Sequence, residues 1–318
     1  MRRIWSAIIV CIFTFLSKEV VFTQDNKLSS VYILAPASTA STPLFVLAEK
    51  DPLENVDIIV KVFINHPQAL VSLYRKEAQF LFSGTSLGWE NRLGGAPIIM
   101  VTTGVWGVSY LIGKEPLITD FAQLKGKKIA LPFPGSPLDF QTRYILHKNG
   151  INPDRDVELS YAPFTQITSM LLEGLIDAAP LPEPLATNVI VHHGLRRLVD
   201  YKKAWAGVSQ AGEYSPQVSL FATADLVQQN RDFIIDIENA WRESTAFTIE
   251  NPRQAATISA RYLSMPINVI ETAIINTLYA VPGYSENRKM VIDYYHEVKD
   301  FLPGKREMLP DNFFFSCE

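Results

Sequence analysis

The sequence predicts an α/β protein with two sheets, and three observations carry that reading. Apolar strand-like runs alternate with helical segments from Val31 onward, the alternation restarts near Asp120, and from "GEYSPQVSLFATADLV" (212–227) the composition turns to helices. Alternating strands and helices build mainly parallel sheets, and a restart implies a second sheet. A helical tail without a sheet of its own packs back on the first half.

Each element follows from its own residues. In the first half "VYILAP" (31–36), "DIIVKVF" (57–63), "AQFLFSG" (78–84), "PIIMVTTG" (97–104) and "GVSYLIG" (107–113) read as strands,. Between them "PLFVLAEK" (43–50) and "PQALVSLYRKE" (67–77) read as helices,. The second half brings a short helix "DFAQLKG" (120–126), a strand "KKIALPF" (127–133), a helix "DFQTRYILHKNG" ended by Gly150 and a strand "DVELSYAP" (156–163),. It continues with a helix "QITSMLLEGL" (166–175), a strand "DAAPL" (177–181) and a helix "PLATNVIVHHG" closing at Gly194,. The tail holds helices "QNRDFIIDIENAWRESTAFTIEN", "PRQAATISARYLS", "NVIETAIINTLY" and "NRKMVIDYYHEVKDFL",.

The totals suit a well-cored chain: 318 residues, 47% hydrophobic and 19% charged, room for two domains,. Residues 1–24 combine Arg2 and Arg3 with an apolar run from Ile4 to Leu16 and a polar exit, the pattern of a secretory signal peptide,. The chain is therefore expected to be exported and periplasmic, or membrane-tethered if the signal stays attached. Cys11 falls inside that signal, which leaves Cys317 alone and allows neither a disulfide nor a thiolate metal site,. Without residues 1–24 the balance is 26 basic against 32 acidic side chains, net −6, so nucleic acid is not an expected partner,.

Four strand-to-helix loops stand out: "ASTASTPLF", "FSGTSLGW", "PFPGSPLDF" and "PLPEPLA". Their Ser, Thr, Gly and Pro residues cap helices and leave backbone N–H groups free, and open α/β sheets place ligands at such strand ends. "STPLF" (41–45) and "GSPLDF" (135–140) repeat one device, a hydroxyl followed by Pro-Leu, once in each half. Asp139 and Glu183 put carboxylates at these loops, either as helix caps or as acceptors for N–H groups of a ligand,. Trp89, Trp106, Phe133, Phe140 and Tyr214 crowd the same places, and one or two of them could present a stacking face,.

Catalytic signatures are sparse. "GTSLG" (84–88) fits G-x-S-x-G with Ser86 as the nucleophile of a hydrolase, but no oxyanion loop accompanies it,. Adjacent His192 and His193 cannot share a helical face as metal ligands, and no phosphate-binding glycine loop exists,. No metal, cofactor or catalytic set is expected.

"LKGKKIALPFPGSPLDFQTRYILHKNGINPDRDVEL" and "LLEGLIDAAPLPEPLATNVI", with "STPLFVLAEK", "GAPIIMVTTG" and the late "LPDNFF", resemble the solute-binding proteins of ABC importers in the sulfonate, taurine, nitrate and thiamin-precursor group. The resemblance covers most of the chain beyond the signal. It implies a type II periplasmic-binding-protein fold: two mixed sheets flanked by helices in two lobes, joined by two crossing hinge strands. Lobe one would hold residues 25–105 and 217–318, and lobe two residues 106–216. The implied partners are a small-molecule ligand and a membrane permease, with the binding protein itself a monomer. Carried onto this chain, Ser41 and Thr42 fall on the first contact loop, Thr85 on the second, Ser136 and Asp139 on the lobe-two loop, and Glu183 on the Glu-Pro of the group. Trp106 falls where the first crossing strand begins, and Trp89, Phe133 and Tyr214 complete the expected ligand-binding set.

The ligand expected is a nitrogen-bearing ring, such as a thiamin-precursor pyrimidine or a flavin-like vitamin, since Asp139 and Glu183 place negative charge where an anion would need positive. Sulfonate, taurine or nitrate is the alternative within the same class. An enzyme of the same fold, a pyrimidine synthase that uses a histidine, here His66, is the alternative of another class, beside a Ser86 hydrolase.

Overall fold

Alternate residues of the first strand, Val31, Ile33 and Ala35, are wholly buried while Ser30, Tyr32 and Leu34 are only partly so, as expected of a strand whose two faces meet different layers,. In the computed structural model, which describes residues 29–50, 52–53, 56–114, 118–302 and 307–316, this strand sits inside a six-stranded sheet. The expected signal segment, residues 1–24 with Cys11, and Cys317 lie outside the described residues.

The chain runs β1 (Ser30–Pro36), α1 (Thr42–Lys50), β2 (Asp57–Phe63), α2 (His66–Tyr74), β3 (Phe80–Gly84), α3 (Thr85–Leu93) and β4 (Ile98–Gly107). It crosses through Val108 into β5 (Ser109–Gly113), β6 (Lys128–Leu131), α4 (Pro137–Lys148), β7 (Glu158–Tyr161), α5 (Phe164–Glu173), β8 (Ala178–Pro182), α6 (Leu185–His193), β9 (Arg196–Asp200) and α7 (Tyr201–Ala206). It returns into β10 (Val218–Thr223), then α8 (Ala224–Gln229), α9 (Arg231–Glu250), α10 (Pro252–Leu263), α11 (Ile267–Asn276), β11 (Leu278–Tyr279) and α12 (Tyr284–Val298).

The first sheet has the order β11-β4-β10-β3-β1-β2, with β1 parallel to β2 and β3, and β10 antiparallel to β3 and β4. The second has the order β7-β6-β8-β5-β9, with β6 parallel to β7 and β8, and β5 antiparallel to β8 and β9. Both are mixed sheets flanked by helices, the two-lobed fold of periplasmic binding proteins. The helical tail behaves as expected: α9 and α10 pack on α1 and share one core with β1 and β3. No described helix is long and apolar enough to cross a membrane.

Three elements escape the alternation read from the sequence. β9 and α7, "RRLVD" and "YKKAWA", carry arginines and lysines in place of an apolar period, because β9 is the edge of its sheet and buries none of its five residues,. β10, inside the helix-rich tail, crosses back to become an interior strand of the first sheet.

One core spans both lobes. Leu81 and Met100 of the first sheet belong to the same buried cluster as Leu111, Ile129 and Leu131 of the second. At its centre α3 and α12 meet α4 and α7 through rings: Trp89 lies 5.7 Å from Phe140 and 5.3 Å from Tyr295, and Trp205 lies 4.6 Å from Tyr294.

Candidate functional site

Five loops at the carboxyl ends of strands meet where the sheets face each other: Pro36–Ser41, Phe63–His66, Gly84–Ser86, Phe133–Ser136 and Pro182–Pro184. The meeting is direct. Ser38 Oγ donates to the Glu183 carbonyl at 2.9 Å, and Ser86 Oγ donates to the Gly135 carbonyl at 3.1 Å. A Cβ on Gly84 would lie 3.3 Å from Pro137 Cγ, so the absence of a side chain there lets α4 approach,. The His66 ring, 5.0 Å from Phe63, stands 6.3 Å from Phe133 of the other lobe.

The expected contact residues divide into two kinds. Ser136 caps α4 as anticipated, accepting from the Asp139 N–H at 3.1 Å. Ser41 does not repeat that device. A 3₁₀ turn, Thr39–Ser41, precedes α1, its cap is Ser38, and the Ser41 hydroxyl turns back to donate to the Pro36 carbonyl at 2.7 Å. Thr42 accepts from Ser259 Oγ at 3.1 Å, and Thr85 shares a 2.8 Å hydrogen bond with Ser219. All of these hydroxyls are buried beneath the seam.

The two carboxylates are occupied by the protein. Asp139 Oδ2 accepts from the Gly135 N–H at 2.8 Å, and Oδ1 accepts from Arg143 Nε and Tyr161 OH, each at 2.9 Å. Glu183 Oε2 accepts from the Thr187 N–H at 2.9 Å, which caps α6, while Oε1 accepts from Thr187 Oγ1 and Asn276 Nδ2, each at 2.9 Å, and from Arg197 at 3.2 Å. Burial raises the Glu183 pKa, opposed by these bonds. Both carboxylates thus accept from protein donors at the starts of α4 and α6.

The aromatics also divide. Trp89 and Trp106 are fully buried and present no stacking face here: Trp89 sits in the interlobe ring cluster and Trp106 donates from Nε1 to the Ala280 carbonyl at 3.0 Å. Phe133 and Tyr214 are the exposed rings of the set, each 39% accessible, and Tyr214 lies edge-on 6.5 Å from Trp106.

Sequence reasoning missed several buried polar residues at the seam. Gln141 of α4 donates to Ser215 at 3.0 Å and accepts from Gln217 Nε2 at 3.0 Å, tying lobe two to the returning crossover. Asn276 closes α11 onto Glu183. The one available signal was Gln141 inside the apolar pattern of α4, since a buried amide must find partners. On α3, the Glu90 carboxyl is pushed up to about 7, first by burial and then by Asp139 across the seam.

His66 is the titratable ring of the site. Its Nδ1 shares a 2.7 Å hydrogen bond with Ser83, and burial lowers its pKa to about 4, so it is neutral near pH 7,. The folded state then binds this proton more weakly than the unfolded chain, so stability declines as pH falls from about 6.5 towards about 4,. Imidazole resonances of His66 should titrate with a midpoint near 4; a midpoint in the ordinary histidine range would show that water reaches the ring.

Chemically, the site offers hydrogen-bond donors and rings. α3 starts at Gly84 with no side-chain cap and no acid in its first turn, and its first N–H, that of Thr85, donates to the Gln217 carbonyl at 3.1 Å,. The five loops contain no lysine or arginine. Ser86 spends its hydroxyl on a carbonyl, not a histidine, and no metal-competent group of three or more His, Cys, Asp or Glu side chains exists among the described residues. A cavity of about 430 Å³ behind Pro134 is braced by Arg143, which bonds Asp139, Asp154 and Tyr161, so its arginine is already paired.

The NMT1-like family matches residues 93–263, more than half of the chain. A binding protein of Brucella abortus is 25% identical over 222 residues, 70% of this chain; the chain spans 66% of that relative's length. Among solved structures, the alkanesulfonate-binding protein from Xanthomonas axonopodis pv. citri bound to MOPS superposes with a TM-score of 0.73 at 16% identity, covering 91% of this chain and 99% of that one. The periplasmic nitrate-binding protein from Synechocystis superposes with a TM-score of 0.68 at 16% identity, covering 88% and 83%.

Proposed function

Because the chain belongs to the NMT1-like family, we propose that it is the exported solute-binding component of an ABC importer, a periplasmic monomer that captures one small molecule between its lobes and hands it unchanged to a membrane permease. The observation that carries this reading is the direct meeting of helix-starting loops from both lobes, Ser86 on Gly135 and Ser38 on Glu183. A ligand that touches both sides favours the closed arrangement by that differential contact alone, without chemistry. The lobes are taken as residues 25–105 with 217–318, and 106–216.

The ligand class is argued from the rings. Phe63, a neutral His66 and Phe133 line the approach from both sides, and no loop residue carries a fixed positive charge. This supports a flat, nitrogen-bearing heterocycle of the thiamin-precursor pyrimidine or flavin type, with Phe133 and Tyr214 as stacking faces. Asp139 and Glu183, occupied as they are, act as braces in this reading. A second reading, a sulfonate or nitrate oxyanion, is favoured by the uncapped start of α3 and by what the structural neighbours are named for binding,.

Native mass spectrometry of co-purified ligand, with a thermal-shift panel, separates them. Ligand at about 100 times Kd stabilises by about 2.7 kcal/mol. Heterocycles are expected to raise the melting temperature, with taurine, alkanesulfonates and nitrate inert. The reverse pattern would replace the ring by the oxyanion, and recovery of a chemically altered ligand would overturn binding without turnover.

A further inference from the structure

We propose that the C-terminal turn of α11 is a built-in latch, which holds the lobes shut through the Glu183 carboxylate before any ligand arrives. Asn276 is the lobe-one residue at its centre. Its Nδ2 donates to Glu183 Oε1 at 2.9 Å, and its main-chain carbonyl accepts from Tyr110 OH of β5 at 2.7 Å. One residue of α11 is thus gripped twice by lobe two. The partners are themselves held: Arg197 lies 3.7 Å over the Tyr110 ring while bonding Glu183 at 3.2 Å, and Thr187 fixes both Glu183 oxygens. Ser38 adds a second tie from lobe one, to the Glu183 carbonyl.

The physical argument is one of alternatives. Glu183 is fully buried, and its bonds to Thr187 and Arg197 are made within lobe two, so opening the lobes removes only the Asn276 bond from the carboxylate. A hydrogen bond to an ionised, desolvated carboxylate is among the strong ones, and losing it shifts a two-state equilibrium by about tenfold to a hundredfold. The latch therefore sets how much of the population is closed without ligand, and hence the apparent affinity for whatever the cleft binds. It stands whether or not the ligand class proposed above is right.

The test needs no ligand. Spin labels at Gln68→Cys and Gln166→Cys, exposed positions in the first turns of α2 and α5, report the lobe-to-lobe distance in a full-length chain whose Cys11 and Cys317 are replaced by serine. Asn276→Ala should lower the closed-to-open ratio about tenfold, and Asn276→Asp, which sets carboxylate against carboxylate, about a hundredfold. Thr272→Ala on the exposed side of the same helix should leave the distance distribution unchanged. If both Asn276 variants keep the parent distribution, the latch is wrong. If Asn276→Asp does not fold by circular dichroism, the Asn276→Ala distribution alone decides.

Discussion

Replacing Trp89 by alanine is expected to lower stability by about 3–5 kcal/mol. In a chain of this size that corresponds to a fall in melting temperature of about 6–10 °C. Trp89 has no accessible surface and touches rings on three sides, Phe140 at 5.7 Å, Tyr294 at 6.1 Å and Tyr295 at 5.3 Å. Those rings are themselves buried against each other, so they have little freedom to collapse into the void,. Phe140 belongs to α4, which follows β6 of the second sheet, while Trp89 belongs to α3, which follows β3 of the first, so the substitution also cuts the coupling between the two sheets' halves. Calorimetry should show one cooperative transition in the parent chain and a broadened or split one in the variant. A single sharp transition within 2 °C of the parent, about the effect of 1 kcal/mol, would show that the ring cluster does not join the lobes.

Gly104→Ala is expected to cost about 3 kcal/mol by the opposite mechanism, overpacking. A Cβ at Gly104 in β4 would lie 2.2 Å from Cζ2 and 2.5 Å from Cη2 of Trp241. That indole is 1% accessible and meets Phe82 edge-on at 5.2 Å, so it cannot swing aside without displacing a second buried ring. Gly283→Ala is the matched control, since nothing lies within 4 Å of the added methyl, and at this N-cap position the change costs at most about 1 kcal/mol,. Urea unfolding should show a lowered midpoint at constant slope for Gly104→Ala alone. An unchanged midpoint would mean that the Trp241 side of the core yields.

Much of the architecture was legible because it rests on local rules. The alternation of "VYILAP", "PLFVLAEK" and "DIIVKVF" is a period pattern, and β1, α1 and β2 form where that pattern puts them. The helix start at Ser136 was legible for the same reason: a hydroxyl, a proline and an acid within four residues satisfy the first N–H groups locally,. Ser41, with nearly the same residues, behaves differently because a 3₁₀ turn intervenes and Pro36 offers a nearer acceptor. β9 was invisible because an edge strand needs no buried alternation.

The candidate site was legible as loops and illegible as contacts. Which aromatic is core and which is exposed depends on what packs above it, and that differs between Trp89, covered by α4 and α12, and Phe133, left open at the loop. The roles of Asp139 and Glu183 depend on Arg143 and Tyr161 for the one, and on Arg197 and Asn276 for the other.

By itself the sequence determined most of the elements, their α/β order, the restart that makes two sheets and the capped loops at their strand ends, because each follows from residues within a turn or two of one another. Only the tertiary structure decided that α12 and Asn276 of the helical tail reach residues of the second half, that the two acids accept from protein donors, and that Phe133 in place of Trp89 meets the solvent. These outcomes hang on residues far apart in the chain, separated by 93 positions for Glu183 against Asn276 and by 154 for Phe140 against Tyr294. Burial and hydrogen-bond satisfaction are properties of such distant pairs, and no local pattern encodes them.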